Sequence, residues 1–306
     1  MITYDPKNWI RTLLDFPRSP VFRTLALDVL GAGAWAALVV WVETDLFRVA
    51  IPLGPSFLSI LGIILGLLLV FRTNTSYDRW WEGRRLWGQL VNVSRGLAHQ
   101  LDAQLEPGAP RRTEYAALLG SFPAALVIHL RRPQGATGPH VPNAIVQSLS
   151  RSLHEDLRSG SLAEGSLVAY TPLLLAFDDI TGACERIRNT PIPFSYSSYV
   201  KQFVLLYALV LPFGMVREFG YGTIIASMCT FFATMGLELL ATEIEEPFGT
   251  DPNDLPIDEI AERIARDMRQ LLTDGGAPQG ALPAAPKEAL QHYSTDSTAQ
   301  APSAIS

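Results

Sequence analysis

Two aspartates in one turn-rich stretch are the first candidates for chemistry in this sequence. The stretch EEPFGTDPNDLPIDE, residues 245–259, carries Asp251 and Asp254 around Pro252 and Asn253, so both carboxylates could point at one cation. Hard cations such as calcium take six to eight oxygen ligands. Two carboxylates and backbone carbonyls would make a poor calcium site, and a solvated turn is the alternative interpretation.

Other patterns that carry chemistry are missing from the sequence. It contains no P-loop, no dinucleotide-binding glycine pattern, no HExxH and no GxSxG, and no two histidines are spaced three or four residues apart. Cys184 and Cys229 have no metal-ligand spacing around them. The net charge of −6 argues against a nucleic-acid binder. We therefore expect a protein that is not an enzyme, needs no cofactor and binds no nucleic acid.

Four apolar runs, at 25–42, 49–71, 203–216 and 219–237, dominate the rest of the chain. The first holds one charged residue and the other three hold none. A bilayer core of about 30 Å is spanned by roughly 20 apolar residues. The runs predict four transmembrane helices, and buried helices of a soluble protein are the less favoured alternative.

Lysine and arginine mark the cytoplasmic side of such helices. They cluster before the first run, after the second and before the third, whereas the two short connections carry only Arg48 and Arg217. This bias predicts that both termini and the long middle segment are cytoplasmic.

These features divide the chain into six parts. We expect an N-terminal cytosolic segment (1–24), transmembrane helices 1 and 2 (25–72), a helical cytosolic domain (73–200), transmembrane helices 3 and 4 (201–242), an acidic loop with an amphipathic helix (243–274), and a disordered tail (275–306). The middle domain is predicted to be helical because its apolar residues recur at helical spacing. The tail is too poor in apolar side chains to offset the entropy of ordering.

No proline stands between Pro55 and Pro107, so the second apolar run should continue as one helix into the charged stretch SYDRWWEGRRLWGQL. That stretch places Trp80, Trp81 and Trp87 just below the bilayer. Tryptophans there are typical of an interfacial aromatic belt. They are equally typical of a subunit interface, where tryptophan and arginine are favoured anchors, and the sequence does not decide between the two.

Three motifs of this chain are similar to the bestrophin family of ion channels. They are FRTNTSYDRWWEGRRLWG (71–88), CERIRNTPIPFSY (184–196) and EIEEPFGTDPNDLP (243–256), in the order and at the spacing of the bacterial branch. The resemblance covers roughly residues 1–274. It implies an all-α membrane protein that forms a homopentameric channel, with four transmembrane helices per subunit and a helical cytosolic bowl on a central pore. For a bacterial member it also implies the inner membrane.

The resemblance places a hydrophobic neck of the pore on Ile63, Leu67 and Phe71. These residues are spaced i, i+4 and i+8, which is one face of a helix. Five copies would form three stacked apolar rings, and dry rings can gate by dewetting. On periodicity alone, contact with lipid is the alternative for Ile63 and Leu67.

The resemblance also places a second, cytosolic constriction at Gly165, where relatives carry a branched aliphatic residue, so we expect a wide aperture. Animal members bind calcium in the loop that follows PFG. Only Asp251 and Asp254 match that clasp, so calcium gating is not expected. The three tryptophans are assigned to contacts between subunits.

The implied partners are other copies of the chain, the bilayer and small inorganic ions. Animal and plant members conduct anions such as chloride, and bacterial relatives are expected to conduct Na⁺ or K⁺, so the sign of the ion stays open. The alternatives to a channel are a membrane transporter and a membrane-anchored scaffold without channel activity.

Overall fold

The computed structural model describes residues 20–46, 53–133 and 138–273, and every regular element within these ranges is helical. The helices are α1 (Pro20–Trp41), α2 (Pro55–Gln104), α3 (Pro110–Leu130), α4 (Val141–Ser159), α5 (Leu167–Asn189), α6 (Phe194–Phe219), α7 (Gly222–Glu245) and α8 (Ile257–Leu272). A π-helical turn, Val42–Leu46, follows α1, and a 3-10 turn, Glu164–Ser166, precedes α5. The all-helical prediction is confirmed. The predicted tail, 275–306, and most of the N-terminal segment, 1–24, lie outside the described residues.

In the described part of the chain, six helices are long and apolar enough to cross a bilayer: α1, α2, α3, α5, α6 and α7. Of these, α3 and α5 are the least apolar. Both contribute to the largest hydrophobic core, which they share with α8 and the cytosolic half of α2. We therefore assign α3 and α5 to the helical domain that the sequence predicts to be cytosolic, which is called the cytosolic domain below. The other four are the helices expected from the sequence.

Helix α2 connects the two layers of the molecule. It runs for 50 residues without interruption, about 75 Å at the rise of an α-helix. It begins at Pro55, whose fixed φ favours the first helical position. One of its faces is buried along its whole length. The buried side chains on this face include Leu65 and Leu69 in the first half and Trp87 and Leu90 in the second. The continuous helix predicted from the absence of proline is confirmed.

The short connections on the side opposite the cytosolic domain meet each other. Helix α6 ends at Gly220, where φ is +50°, and α7 begins after Tyr221. The Tyr221 hydroxyl donates a hydrogen bond to Asp45, at 2.6 Å, in the turn that follows α1. Trp35 of α1 also donates to the carbonyl of Leu209 in α6. The two loops predicted to be external therefore lie at the same end of the helices.

The cytosolic domain is closed by α8. Its apolar face packs on α3 through Ile257, Ile260, Ile264 and Met268, as the amphipathic pattern predicts. A Cβ at Gly120 of α3 would approach the Cα of Ala265 to 3.4 Å, so a residue without a side chain allows the two helices to pack closely.

Candidate ion pathway and the residues that support it

The predicted neck residues lie on one exposed face of α2. Ile63, Leu67 and Phe71 are 72%, 55% and 54% exposed. On the opposite face, Leu65 and Leu69 are almost completely buried, in a cluster with Val200 and Val204 of α6. One side of α2 therefore packs against α6 of the same subunit. The other side exposes a row of large apolar side chains that no other part of the described subunit covers.

The same face continues into the cytosolic half of α2 with a different character. The side chains that follow at helical spacing are Asn74, Asp78, Trp81 and Arg85, all exposed. At 1.5 Å per residue, Asp78 lies about 10 Å beyond Phe71 along the axis and Arg85 lies about 21 Å beyond it. The face changes from apolar to polar within one turn after Phe71.

Arg72 marks this change on the opposite face. Its side chain is buried, and Nη2 lies 2.7 Å from Oε2 of Glu245 in α7. The other carboxylate oxygen, Oε1, accepts a hydrogen bond from the backbone N–H of Ile192 at 2.9 Å. Glu245 thus ties α2 to α7 and to the segment that enters α6. A buried charge is stable only when it is paired and hydrogen-bonded, so the pair fixes the depth of α2 in the subunit.

Other charges near the membrane boundary are also used inside the subunit. Arg79 donates three hydrogen bonds to backbone carbonyls at the ends of α5 and α7. Glu238 of α7 is buried, accepts from Thr242 and lies 3.8 Å from the amine of Lys201. These three charged side chains are therefore bound within the subunit, whereas Arg84 and Arg85 of the same basic stretch are exposed.

The acidic loop is held by internal hydrogen bonds. Asp254 is only 2% exposed, and its Oδ2 accepts the backbone N–H of Asp251 at 2.6 Å, while the Asp251 side chain is exposed. Trp80 donates to the carbonyl of Asn253 at 3.1 Å. A Cβ at Gly249 would lie 2.6 Å from the Asp254 carboxylate, so the loop requires glycine there. Asp254 serves as an acceptor within the loop.

Burial raises the pKa of Asp254 to about 6, although the Asp251 N–H opposes the shift. The folded chain then binds this proton more tightly than the unfolded chain, so stability falls as the pH rises through about 6. We expect this group to make the parent about 1 kcal/mol more stable at pH 5 than at pH 7. Asp254→Asn keeps the hydrogen-bond acceptor but removes the titrating carboxyl group. Melting curves in detergent should therefore show no extra stability of this variant at pH 5 over pH 7 from this group. Asp251→Asn, at an exposed side chain, should keep it, and an unchanged profile in Asp254→Asn would contradict the assignment.

Comparison with known proteins places this geometry in a family. The sequence profile described as Bacterial/Fungal Bestrophin protein matches residues 1–270. The chain belongs to the bestrophin family. This family is one of channels and not of enzymes, and its members include bacterial bestrophin homologues of known structure.

Individual relatives cover most of this bestrophin. The Voltage-dependent anion channel-forming protein alr2987 of Nostoc sp. is 34% identical over 88% of this chain and 94% of its own length. The Voltage-dependent anion channel-forming protein YneE of Escherichia coli K12 is 31% identical over 92% of this chain and 98% of its own length. The crystal structure of a bacterial bestrophin homolog from Klebsiella pneumoniae superimposes with a TM-score of 0.74 at 25% identity, covering 81% of this chain and 98% of the other.

The three tryptophans assigned to subunit contacts occupy different environments in this bestrophin. Trp87 is completely buried in the core of its own subunit, so its assignment to the interface is wrong. Trp80 is half-buried against that core and holds the acidic loop. Trp81 is 48% exposed on the neck side of α2. For Trp81 and for the exposed part of Trp80, the contact with another subunit stays a prediction.

Gly165 lies in the 3-10 turn before α5 and is exposed, with no atom within 4 Å of the position of a Cβ. The next residue, Ser166, donates to the side chain of Gln104 at 2.6 Å, which docks the turn at the cytosolic end of α2. The predicted second constriction is therefore far from the neck. Val168, three residues later and 81% exposed, is a branched aliphatic side chain that the sequence analysis missed.

Proposed function

We propose that this bestrophin is the subunit of a homopentameric ion channel that passes small monovalent ions through a neck formed by Ile63, Leu67 and Phe71. The exposed apolar face of α2 carries the proposal, because the opposite face is already packed within the subunit. Five such faces around one axis would make three apolar rings. The channel-forming names of the relatives from Nostoc and Escherichia coli support the same function.

The distribution of charged residues supports the membrane topology of the proposal. The chain is a multi-pass membrane protein, and we place it in the bacterial inner membrane with both termini in the cytoplasm. The lysine and arginine bias supports this orientation. Two connections would then face the outside: the one between α1 and α2, and the turn at Gly220 between α6 and α7.

A transporter or a silent scaffold would behave differently from a channel. A transporter usually needs discontinuous helices and ionisable groups at the midplane of the membrane. Helices α6 and α7 each run without a break, and the neck face of α2 carries apolar side chains. Purified protein in a planar bilayer should give single-channel currents, and protein that reconstitutes without any current would refute the proposal.

The sign of the ion depends on the charges that line the path. The names of the relatives favour anions. The charged side chain on the neck face nearest to Phe71 is Asp78, and a ring of five carboxylates would favour cations by raising their local concentration. Reversal potentials in a KCl gradient decide between these two alternatives.

We expect Asp78→Asn to shift the reversal potential toward that of chloride, because the variant removes five negative charges from the inner mouth. Arg85→Gln removes five positive charges farther from the neck, and it should give a smaller shift in the opposite direction. If neither variant moves the reversal potential, the polar part of this face does not line the path.

We also propose that calcium does not gate the channel. Oδ2 of Asp254 already accepts the N–H of Asp251, and the carbonyl of Asn253 accepts from Trp80. The remaining oxygen, Oδ1 of Asp254, is buried, so the loop offers far fewer than the six to eight oxygens that calcium takes. Currents recorded in zero and in micromolar calcium should be equal, and a steep rise with calcium would refute this part of the proposal.

Assembly provides another test of the proposal. The parent in mild detergent should have the mass of five chains of 33.6 kDa. We expect Trp81→Ala to weaken the assembly, because tryptophan is a favoured anchor at subunit contacts. An unchanged mass would instead leave Trp81 on the ion path with Asp78 and Arg85, whose helix face it shares. Trp41→Ala removes an equally exposed tryptophan at the far end of α1 and should leave the mass unchanged. A parent with the mass of a monomer or dimer would contradict the pentamer.

A further inference from the structure

Two histidines and a glutamate, none of them part of the neck or of the acidic loop, converge in the cytosolic domain. His129 is in the last turn of α3, His140 is the N-cap of α4, and Glu185 is near the end of α5. The Nε2 atoms of the two histidines lie 2.6 and 2.7 Å from the same oxygen, Oε1 of Glu185. The ring centroids are 4.3 Å apart. We propose that these three side chains form a binding site for a late transition-metal ion of the zinc class.

The ligand set has the chemistry that such an ion requires. Zinc takes imidazole nitrogen and carboxylate oxygen at about 2.0–2.2 Å, and sites with three protein ligands leave a fourth position for water. One donor atom from each of the three side chains lies within 4.8 Å of the others, close enough for one ion to reach all three after small rotations. The side chains are between 16% and 33% exposed, so water can reach the open position.

The surroundings hold the ligands in place and supply negative charge. Oε1 of Glu185 lies within hydrogen-bond distance of Nε2 of both histidines, so the three side chains already hold one another in place. Arg188, one turn after Glu185, donates to the carbonyl of His129 and so fixes α5 against the end of α3. Asp178 lies two turns before Glu185 on the same face of α5 and is close enough to interact electrostatically with His140.

Binding through Nε2 requires each histidine to carry its proton on Nδ1, and in His129 this atom is buried without a hydrogen-bond partner among the described residues. In His140 it requires a local rearrangement. The Nδ1 atom of His140 accepts the backbone N–H of Asn143 at 3.2 Å. An imidazole that ligates a metal through Nε2 carries its proton on Nδ1 and can no longer accept there. The Asn143 N–H, in the exposed first turn of α4, would then bond to water as such groups commonly do. The hydrogen bond from the Asn143 N–H to His140 would be lost. In its place the bound ion would link three helices, α3, α4 and α5.

The test is isothermal titration of the assembled, tag-free protein with zinc chloride, followed by X-ray absorption of the zinc-loaded protein. We expect one zinc per subunit, with nitrogen and oxygen neighbours and two imidazoles. His140→Ser keeps an N-cap oxygen for Asn143 but removes a ligand, and it should weaken zinc binding at least tenfold. His154→Ser changes an exposed histidine of the same helix and should bind zinc like the parent.

His129→Gln is the second variant if His140→Ser does not assemble, because the amide can still hydrogen-bond to Glu185. Zinc should also raise the melting temperature of the parent more than calcium or magnesium, which prefer all-oxygen sites. Equal zinc affinity in the parent and in the assembled ligand variant would overturn the proposal, as would a parent that binds no zinc. Channel currents do not enter this test, so it stands apart from the proposed ion conduction.

Discussion

Leu67→Ala should raise the single-channel conductance several-fold. If Ile63, Leu67 and Phe71 form stacked rings, the energy barrier to ions is highest there, because no polar group replaces the water that an ion loses. One substitution changes the ring five times, once in each subunit. Leu67 is 55% exposed within its own subunit, so its truncation should cost less stability than the roughly 2–5 kcal/mol of a buried leucine.

Leu68→Ala is the matched control for this experiment. Leu68 lies about 100° further round the helix, where it packs against the cluster formed by α2 and α6. Truncating it should destabilise the protein more than Leu67→Ala and change the current less. Conductance and thermal melting of both variants check the assignment, and the reverse ranking would show that the neck register is shifted by one residue.

Features set by local pattern were predictable from the sequence. The four spanning helices follow from apolar runs of sufficient length, and the continuity of α2 follows from the absence of proline. The exposed face that holds Ile63, Leu67 and Phe71 follows from helical spacing. Periodicity could not choose between lipid and pore for this face, since both leave the side chains exposed in a single subunit.

Features set by tertiary contacts were not predictable. Trp80, Trp81 and Trp87 look alike in the sequence, and helical spacing alone does not say which of them the packing of α3, α5 and α8 against α2 buries. This packing buries Trp87 and leaves Trp81 exposed. The Arg72–Glu245 pair joins residues 173 positions apart. His129, His140 and Glu185 come from three helices, so no spacing rule for adjacent ligands could have found them.

Arg72→Ala should destabilise the protein more than any other single change considered for α2. The substitution leaves the Glu245 carboxylate, 12% exposed, without its cation while Ile192 still holds it in place. Removing one partner of a buried ion pair costs about 3–5 kcal/mol. Unfolding in denaturant, followed by circular dichroism in detergent, measures the loss. Arg84→Ala, at an exposed arginine of the same helix, should change stability by less than about 0.5 kcal/mol.

A double variant separates the ion pair from the packing of the Arg72 side chain. Arg72→Leu with Glu245→Leu removes both charges and keeps apolar volume, and such replacements of a buried pair are often neutral or stabilising. We expect the double variant to be more stable than Arg72→Ala by about 2 kcal/mol or more. If both variants lose the same stability, the charge on Glu245 is not what Arg72 compensates. Phe71 is adjacent to Arg72, so Arg72→Ala should also widen the distribution of single-channel conductance values. Arg84→Ala should leave that distribution unchanged.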